Sequence, residues 1–392
     1  MVMLPPAPWR DRPDLIELID VLGGGEVTRL VGGAVRDALL GRPVSDIDLA
    51  TRLSPAVVIA RLKAAGIKAV PTGLAHGTVT AVPAGGPVEV TTLRRDVSTD
   101  GRHAEVEFSY DWQEDAARRD FTINALYGDN ATGEVFDYFG GEDDIAARRI
   151  RFIGDPLTRI AEDHLRILRF FRFHARFGAG APDAAGLAAC TERANDLMAL
   201  SRERIAAELL KLLAADDPSA VVAIMVVHGI FKPVLPEFTD ASPLARCVMR
   251  EQALGAPGDP VRRLAALIDG RTDLAASIGA RLKLSNAITR RLVSASQSAD
   301  GSPETMAYRL GTTGAIDRLI LGNGQADDVA HLSNWEIPKL PITGGALTAR
   351  GLEPGPIIAK TLAEIETRWV DGGFPSGDVF DAIVAEEISR AS

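Results

Sequence analysis

The sequence predicts an α+β protein: a small head built on a mixed sheet, followed by an all-helical neck, body and tail. Three observations carry this. Helical and strand-like segments alternate up to about residue 150. Beyond that point strand signals nearly vanish and helical periodicity runs to the end. The chain's 392 residues also exceed what one compact core usually holds. The expected division is a head over 1–150, a neck over 151–215, and a body and tail over 216–392.

The elements follow in order. Residues 11–22 (DRPDLIELIDVL) read as a helix ended by Gly23, Gly24 and Gly25, a triple glycine that reads as a turn. A strand over 27–31 leads into Leu30–Thr51, LVGGAVRDALLGRPVSDIDLAT. Here a Gly32-Gly33 turn opens a helix from Ala34 to Leu40, which Gly41, Arg42 and Pro43 close. The strand that follows is expected to carry Asp46 and Asp48 on one side, with Ile47 and Leu49 on the other. Ser54 caps the next helix, Pro55 begins it and Gly66 ends it. Strands are expected over 68–71, 78–83 and 88–93, the last two joined as a hairpin through Ala84-Gly85-Gly86. The polar stretch Val97–Ala104 lacks apolar periodicity and is expected to be a mobile loop. Residues 114–126, EDAARRDFTINAL, are expected to be helical, which places Asp120 and Asn124 on one face. Val135–Gly141 closes the head as a strand and turn. Residues 155–176, DPLTRIAEDHLRILRFFRFHAR, are expected to form one helix. Ser201–Leu213 is a capped amphipathic helix, and eight more helices follow between 219 and 332. A glycine-proline turn, GLEPGP, then opens a helix reaching Val370.

Composition narrows the function. Apolar residues make up 46% and charged residues 24% of the chain, ordinary values for a globular protein. The net charge of −10 argues against a general nucleic-acid coat. The charge is not evenly spread: between Arg148 and Arg176 eight arginines face Asp155, Glu162 and Asp163. The two cysteines, Cys190 and Cys247, have no metal-type spacing and read as free buried thiols in a reducing cytosol, so a cytoplasmic location is expected. The N-terminus lacks the basic and apolar regions of a signal peptide, and the longest apolar run, Ala220–Val227, is too short to span a bilayer. No membrane and no obligate protein partner are implied.

The chemistry is in the polar positions. Two carboxylates side by side repel each other unless a divalent cation lies between them, and hard oxygen ligands suit Mg²⁺. Asp46 and Asp48 are therefore the candidate catalytic and metal residues. Glu89, on the strand Val88–Leu93, is a candidate third ligand, or else a half-buried strand carboxylate paired to an arginine. Gly32 and Gly33 offer bare backbone N–H groups to an anion, with Arg36 one turn on. Arg119, Asp120 and Asn124 lie in the RRDFTINAL segment. Asp163, Arg166, Arg169 and Arg172 recur at steps of three. Taken alone, each of these sets could also be solvated surface or a row of ion pairs.

Together they resemble the class II nucleotidyltransferases, the tRNA CCA-adding enzymes and bacterial poly(A) polymerases, and most of all a bacterial CCA-adding enzyme. The resemblance rests on Gly32-Gly33-Ala34-Val35-Arg36-Asp37-Ala38-Leu39-Leu40-Gly41, Asp46-Ile47-Asp48, RRDFTINAL, and E-D-x-x-R-x-L-R from Glu162 to Arg169. It covers residues 30–213 and thins beyond. It implies a nucleotidyltransferase head with template-free, two-metal addition of C, C and A from CTP and ATP to the 3′ end of tRNA. Gly32, Gly33, Arg36 and Arg119 would then hold triphosphate, and Asp120 and Asn124 would test the ribose. Asp163 and Arg166 would read the base, with Arg169 and Arg172 in support. Alternatives are poly(A) polymerase, a CC-only or A-only enzyme, or a non-catalytic RNA-binding protein. A GRRF-like segment of poly(A) polymerases is replaced here by Gly73-Leu74-Ala75-His76-Gly77. The stretch 97–104 argues against CC-only addition.

Overall fold

A computed structural model describes residues 2–99 and 104–391. The chain divides into two compact units: Met1–Leu212 with Val227–Pro236, and Leu213–Val226 with Glu237–Ser392.

The first unit opens with α1 (Pro13–Val21), β1 (Thr28–Val31), α2 (Gly33–Leu39), β2 (Asp48–Thr51) and α3 (Pro55–Ala64). β3 (Lys68–Gly73), β4 (Thr78–Val82) and β5 (Val88–Thr92) come next. They are followed by β6 (Arg94–Thr99), β7 (Ala104–Phe108), α4 (Trp112–Ala117), β8 (Leu126–Gly128) and β9 (Val135–Asp137). A seven-stranded sheet runs in the order β3-β4-β5-β2-β1-β8-β9, antiparallel except where β2 and β5 pair in parallel. The parallel register sets Asp48 beside Glu89 and Leu49 beside Val90. Leu30, Leu49, Val88 and Val90 are buried with Leu15, Leu18 and Leu62 of the flanking helices, so the apolar alternation seen in the sequence becomes the head's core.

Helices α5 (Gly141–Ala146), α6 (Pro156–Glu162), α7 (Arg166–Phe177), α8 (Ala184–Glu192) and α9 (Arg202–Leu213) follow. The rest of the chain is helical: α10 (Ser219–Val227), α11 (Ser242–Ala253), α12 (Pro260–Ile268), α13 (Thr272–Arg281) and α14 (Asn286–Ala295). It ends with α15 (Pro303–Leu321), α16 (Ala326–Asn334), α17 (Gly344–Ala349), α18 (Pro356–Asp371) and α19 (Asp378–Ala391). α15 merges two expected helices across Gly311, whose φ of 75° breaks the helical path. Within the second unit, Glu251 accepts from Arg262 and Arg263 at 2.8 Å each, and Asp317 accepts from Arg262 at 2.9 Å. No helix among the described residues is long and apolar enough to cross a membrane.

Four expectations are corrected. The segment 114–126 is not one helix: α4 ends at Ala117, and β8 begins at Leu126. Phe121 instead forms a bridge with Phe152, and the Thr122 amide donates to the Arg151 carbonyl at 3.1 Å. That tertiary pairing, with Phe121 fully buried against Phe152, outweighs local helix propensity. Residues 155–176 are two helices, broken at Asp163, whose backbone is extended at φ −151° and ψ 105°. The Asp163 side chain accepts from the Leu165 amide at 3.1 Å, a local bond that competes with the helix. Parts of the expected loop 97–104 are strand, since β6 pairs with β7; residues 100–103 lie outside the described residues. Ser54 stands at the N-cap of α3, but its hydroxyl makes no capping bond.

Candidate functional site

Local conformation aims each group. Gly32, just ahead of α2, has φ 66°, a left-handed value that a side chain rarely adopts. A Cβ there would stand 3.5 Å from Arg119 Nη1, an ordinary contact, so it is the backbone conformation and not crowding that calls for glycine. Asp48 begins β2 and is half-buried, while Asp46, two residues earlier, is exposed in the preceding loop. Ile47 and Leu49 are buried, so the alternation expected for this stretch holds even though the strand starts only at Asp48. The Asp163 break turns the chain between α6 and α7, which puts the carboxylate outside the helical row where the sequence alone would leave it.

These pieces meet at a cavity of about 440 Å³. It is lined by Gly32, Gly33, Arg36, Asp48, Arg119, Asp120, Asn124, Asp163, Arg166, Arg169, Arg172 and Phe173. Eleven of these are candidates from the sequence, drawn from four segments far apart in the chain. Asp46 is not among them; it acts on Asp48 by its charge. Glu89 is exposed, next to Asp48 in register, and does not line the cavity.

The arginines are held by a web of carboxylates. Arg36 donates from Nε to Asp37 at 2.9 Å and from Nη1 to Asn124 Oδ1 at 2.6 Å. Asn124 donates to Asp120 at 3.1 Å, and Asp120 accepts from Arg169 Nε at 2.8 Å. Asp120 and Asn124 thus meet as expected, though through a turn and not a helix face. Arg172 donates to Glu208 of α9 at 2.6 Å, and Arg166 to Glu162 at 2.5 Å. Arg204 of α9 grips both oxygens of Asp163, at 3.0 and 2.9 Å. Fixing the guanidiniums this way removes conformational freedom that a ligand would otherwise have to remove.

Asp115 is the group the sequence reading passed over. It is 1% exposed. It accepts from Arg118 at 2.8 Å, Arg119 at 3.1 Å, the Tyr127 hydroxyl at 2.7 Å and the Arg94 amide at 3.3 Å. Burial pushes its carboxyl up, but Arg119 and Arg118 outweigh that and hold it at about 2. Its spacing of three and four residues from two arginines on a helix was the available signal. Phe173, Glu208 and Arg204 were also missed as site groups. A phenylalanine here looks like any other core residue of α7, and the other two read as structural.

Asp48 behaves oppositely. Burial, then the charges of Glu89 and Asp46, push its carboxyl upward against the pull of Arg119. Like charges crowded at a half-buried carboxylate, with only oxygen donors, fit a hard divalent cation. Among the described residues no three metal-type side chains gather around one point; the carboxylates that crowd here are Asp48, Glu89 beside it in register and Asp46, whose charges act on it.

A mixed-sheet head carrying paired acids, a Gly-Gly turn and an arginine-lined cavity defines a nucleotidyltransferase. Residues 28–151 match the Poly A polymerase head domain, and residues 183–242 match the probable RNA and SrmB-binding site of polymerase A. The chain is 35% identical over 360 residues to the mitochondrial CCA tRNA nucleotidyltransferase 1 of Danio rerio, covering 87% of this chain and 83% of that one. It is 32% identical over 374 residues to the CCA-adding enzyme of Levilactobacillus brevis, covering 88% and 90%. The crystal structure of the Bacillus stearothermophilus CCA-adding enzyme in complex with CTP matches it with a TM-score of 0.75 at 25% identity, covering 98% and 99%. The chain belongs to the CCA tRNA nucleotidyltransferase family and is an enzyme of CCA addition.

Proposed function

We propose that the cavity takes CTP and ATP in turn and that the chain extends tRNA without a template. The single observation behind this reading is the convergence of Asp48, Arg36, Arg119, Asp163 and Arg166 on one space. The tRNA 3′-OH attacks the α-phosphorus of the bound nucleotide, and pyrophosphate leaves. Gly32, Gly33, Arg36 and Arg119 hold the triphosphate, since guanidiniums meet phosphate oxygens in pairs. Asp120 and Asn124 face the ribose. Asp163 supplies acceptors and Arg166 donors to the edge of the base, where a wrong base leaves a buried donor unpaired at about 1–3 kcal/mol. Asp46 and Asp48, with Glu89 adjacent, would hold a divalent ion, and their hard oxygen donors suit Mg²⁺. When bound, that ion lowers the pKa of the attacking hydroxyl and offsets charge on the leaving group.

The first 150 residues serve as the catalytic head, 151–215 as the base-reading neck, and 216–392 as the tRNA-binding body and tail. The glycine-proline turn ahead of α18 is suited to contact the RNA backbone. The two cysteines are free and buried, with burial pushing the Cys247 thiol up to about 12, which suits the reducing cytoplasm.

The test is nucleotide addition to tRNA lacking one, two or three terminal residues, with each nucleoside triphosphate offered alone. The reading predicts CMP on tRNAs short by two or three residues and AMP on the one short by one. The completed end should accept nothing. Runs of A on any RNA end would make this a poly(A) polymerase. CMP addition without AMP, or the reverse, would make it a partial enzyme.

A further inference from the structure

Phe173 is 5% exposed and lines the cavity. Three guanidiniums stand over its ring: Arg172 at 4.3 Å, Arg169 at 5.3 Å and Arg36 at 5.5 Å from the centroid. Arg36 belongs to the head, on the triphosphate side; the other two belong to α7, on the base side. Phe121 and Phe177 pack against the same ring at 5.2 and 5.7 Å between centroids. The two outer arginines are also joined through polar atoms, by the chain Arg36–Asn124–Asp120–Arg169. The Phe173 ring therefore closes a loop whose other half is hydrogen-bonded, with Arg36 held by the neighbouring Phe177 ring as well, at 4.1 Å.

We infer that Phe173 is a positioning residue that locks the phosphate-side and base-side arginines into one unit for the incoming nucleotide. The inference rests on the nucleotidyltransferase reading above. Like-charged guanidiniums in one pocket repel. A further carboxylate would hold them but would also take up N–H groups that the nucleotide needs. The face of an aromatic ring attracts cations and takes up none of their donors. An aliphatic side chain of similar size fills the space and offers no such attraction.

The experiment compares Phe173→Leu, Phe173→Met and Phe173→Tyr with the wild-type enzyme. KM and kcat are measured for CTP and for ATP on tRNAs short by three residues and by one. Loss of the ring removes binding that is equal in ground and transition states. KM for both nucleotides should therefore rise together by about tenfold, while kcat stays within about threefold. Tyr, which keeps the ring, should restore both KM values to within about twofold. Phe171→Leu is the control for packing alone: Phe171 is fully buried on the same helix, and among the described residues no arginine faces its ring. It should lower the melting temperature and leave KM unchanged. If Leu does not fold, Met keeps the volume and gives the same reading. The inference is overturned if the wild type is active and the Leu or Met variant keeps its KM. It is equally overturned if Tyr fails to rescue, or if Phe171→Leu raises KM as much. Failure of the underlying reading is separate: it shows as a wild type that adds no nucleotide.

Discussion

Replacing Asp115 by Asn removes the charge at the centre of the arginine web without changing its shape. The carboxylate is 1% exposed and serves Arg118, Arg119, Tyr127 and the Arg94 amide at once. Its pKa falls from an ordinary 3.8 to about 2 in the fold. At 1.36 kcal/mol per unit, that difference is roughly 2.5 kcal/mol of native-state stabilisation. Breaking a buried ion pair from one side costs about 3–5 kcal/mol, so the two routes bracket a loss of about 2–5 kcal/mol. For a unit of this size the loss lowers the melting temperature by about 5–15 °C. The sign with pH follows from the direction of the shift. A depressed carboxylate contributes in full above its unfolded pKa and loses that contribution as pH falls through about 2. The gap between wild type and variant should therefore be flat from pH 5 upward and close only in strong acid. Calorimetry across pH measures this, and initial rates at varied CTP should show a raised KM, because Arg119 loses its anchor. A melting temperature unchanged at neutral pH, or a gap that widens on acidification, would refute the reasoning.

Asp48→Asn should abolish nucleotide addition and yet raise the melting temperature in chelator. Burial and Glu89 push the wild-type carboxyl upward, so its ionised form carries a penalty in the fold above that raised pKa, and the penalty is relieved below the ordinary value. Added Mg²⁺ should raise the melting temperature of the wild type and leave that of the variant in place; equal responses would count against the metal assignment. Arg169→Ala leaves Asp120 buried without its cation and should cost about 3 kcal/mol, read as a lower urea midpoint, together with a higher KM for both nucleotides. Glu251→Gln removes the negative charge shared by Arg262 and Arg263 in the second unit and turns one of its two acceptor oxygens into a donor. It should cost about 3–5 kcal/mol in denaturant unfolding with KM for CTP unmoved; a shifted KM would contradict the placement of the nucleotide site wholly within the first unit.

Much of the site was legible because its chemistry sits in short, spaced sets of polar residues. Gly32-Gly33, Asp46-x-Asp48, the RRD segment and the arginine row are each readable as local patterns, and all of their residues but Asp46 and Arg118 line one cavity. The strands of the head were legible from alternation, as Leu49 and Val90 show. What the sequence hid were outcomes of tertiary competition. Helix propensity across 114–126 lost to the pairing of Phe121 with Phe152. The helix over 155–176 lost to the bond from the Leu165 amide to Asp163. That second loss matters for function, because the break is what frees a carboxylate for Arg204 and the cavity. Carboxylate partners contributed from afar, such as Glu208 for Arg172, leave no trace in local spacing. Asp115 did leave one, in its spacing to two arginines.

The most direct test separates holding the nucleotide from transferring it. In an Asp46→Ala, Asp48→Ala double variant, CTP binding is followed by equilibrium titration and single-turnover CMP addition by extension of tRNA short by three residues. The account predicts a variant that still binds CTP through its arginines and adds no CMP. Full-rate addition by that variant would contradict it.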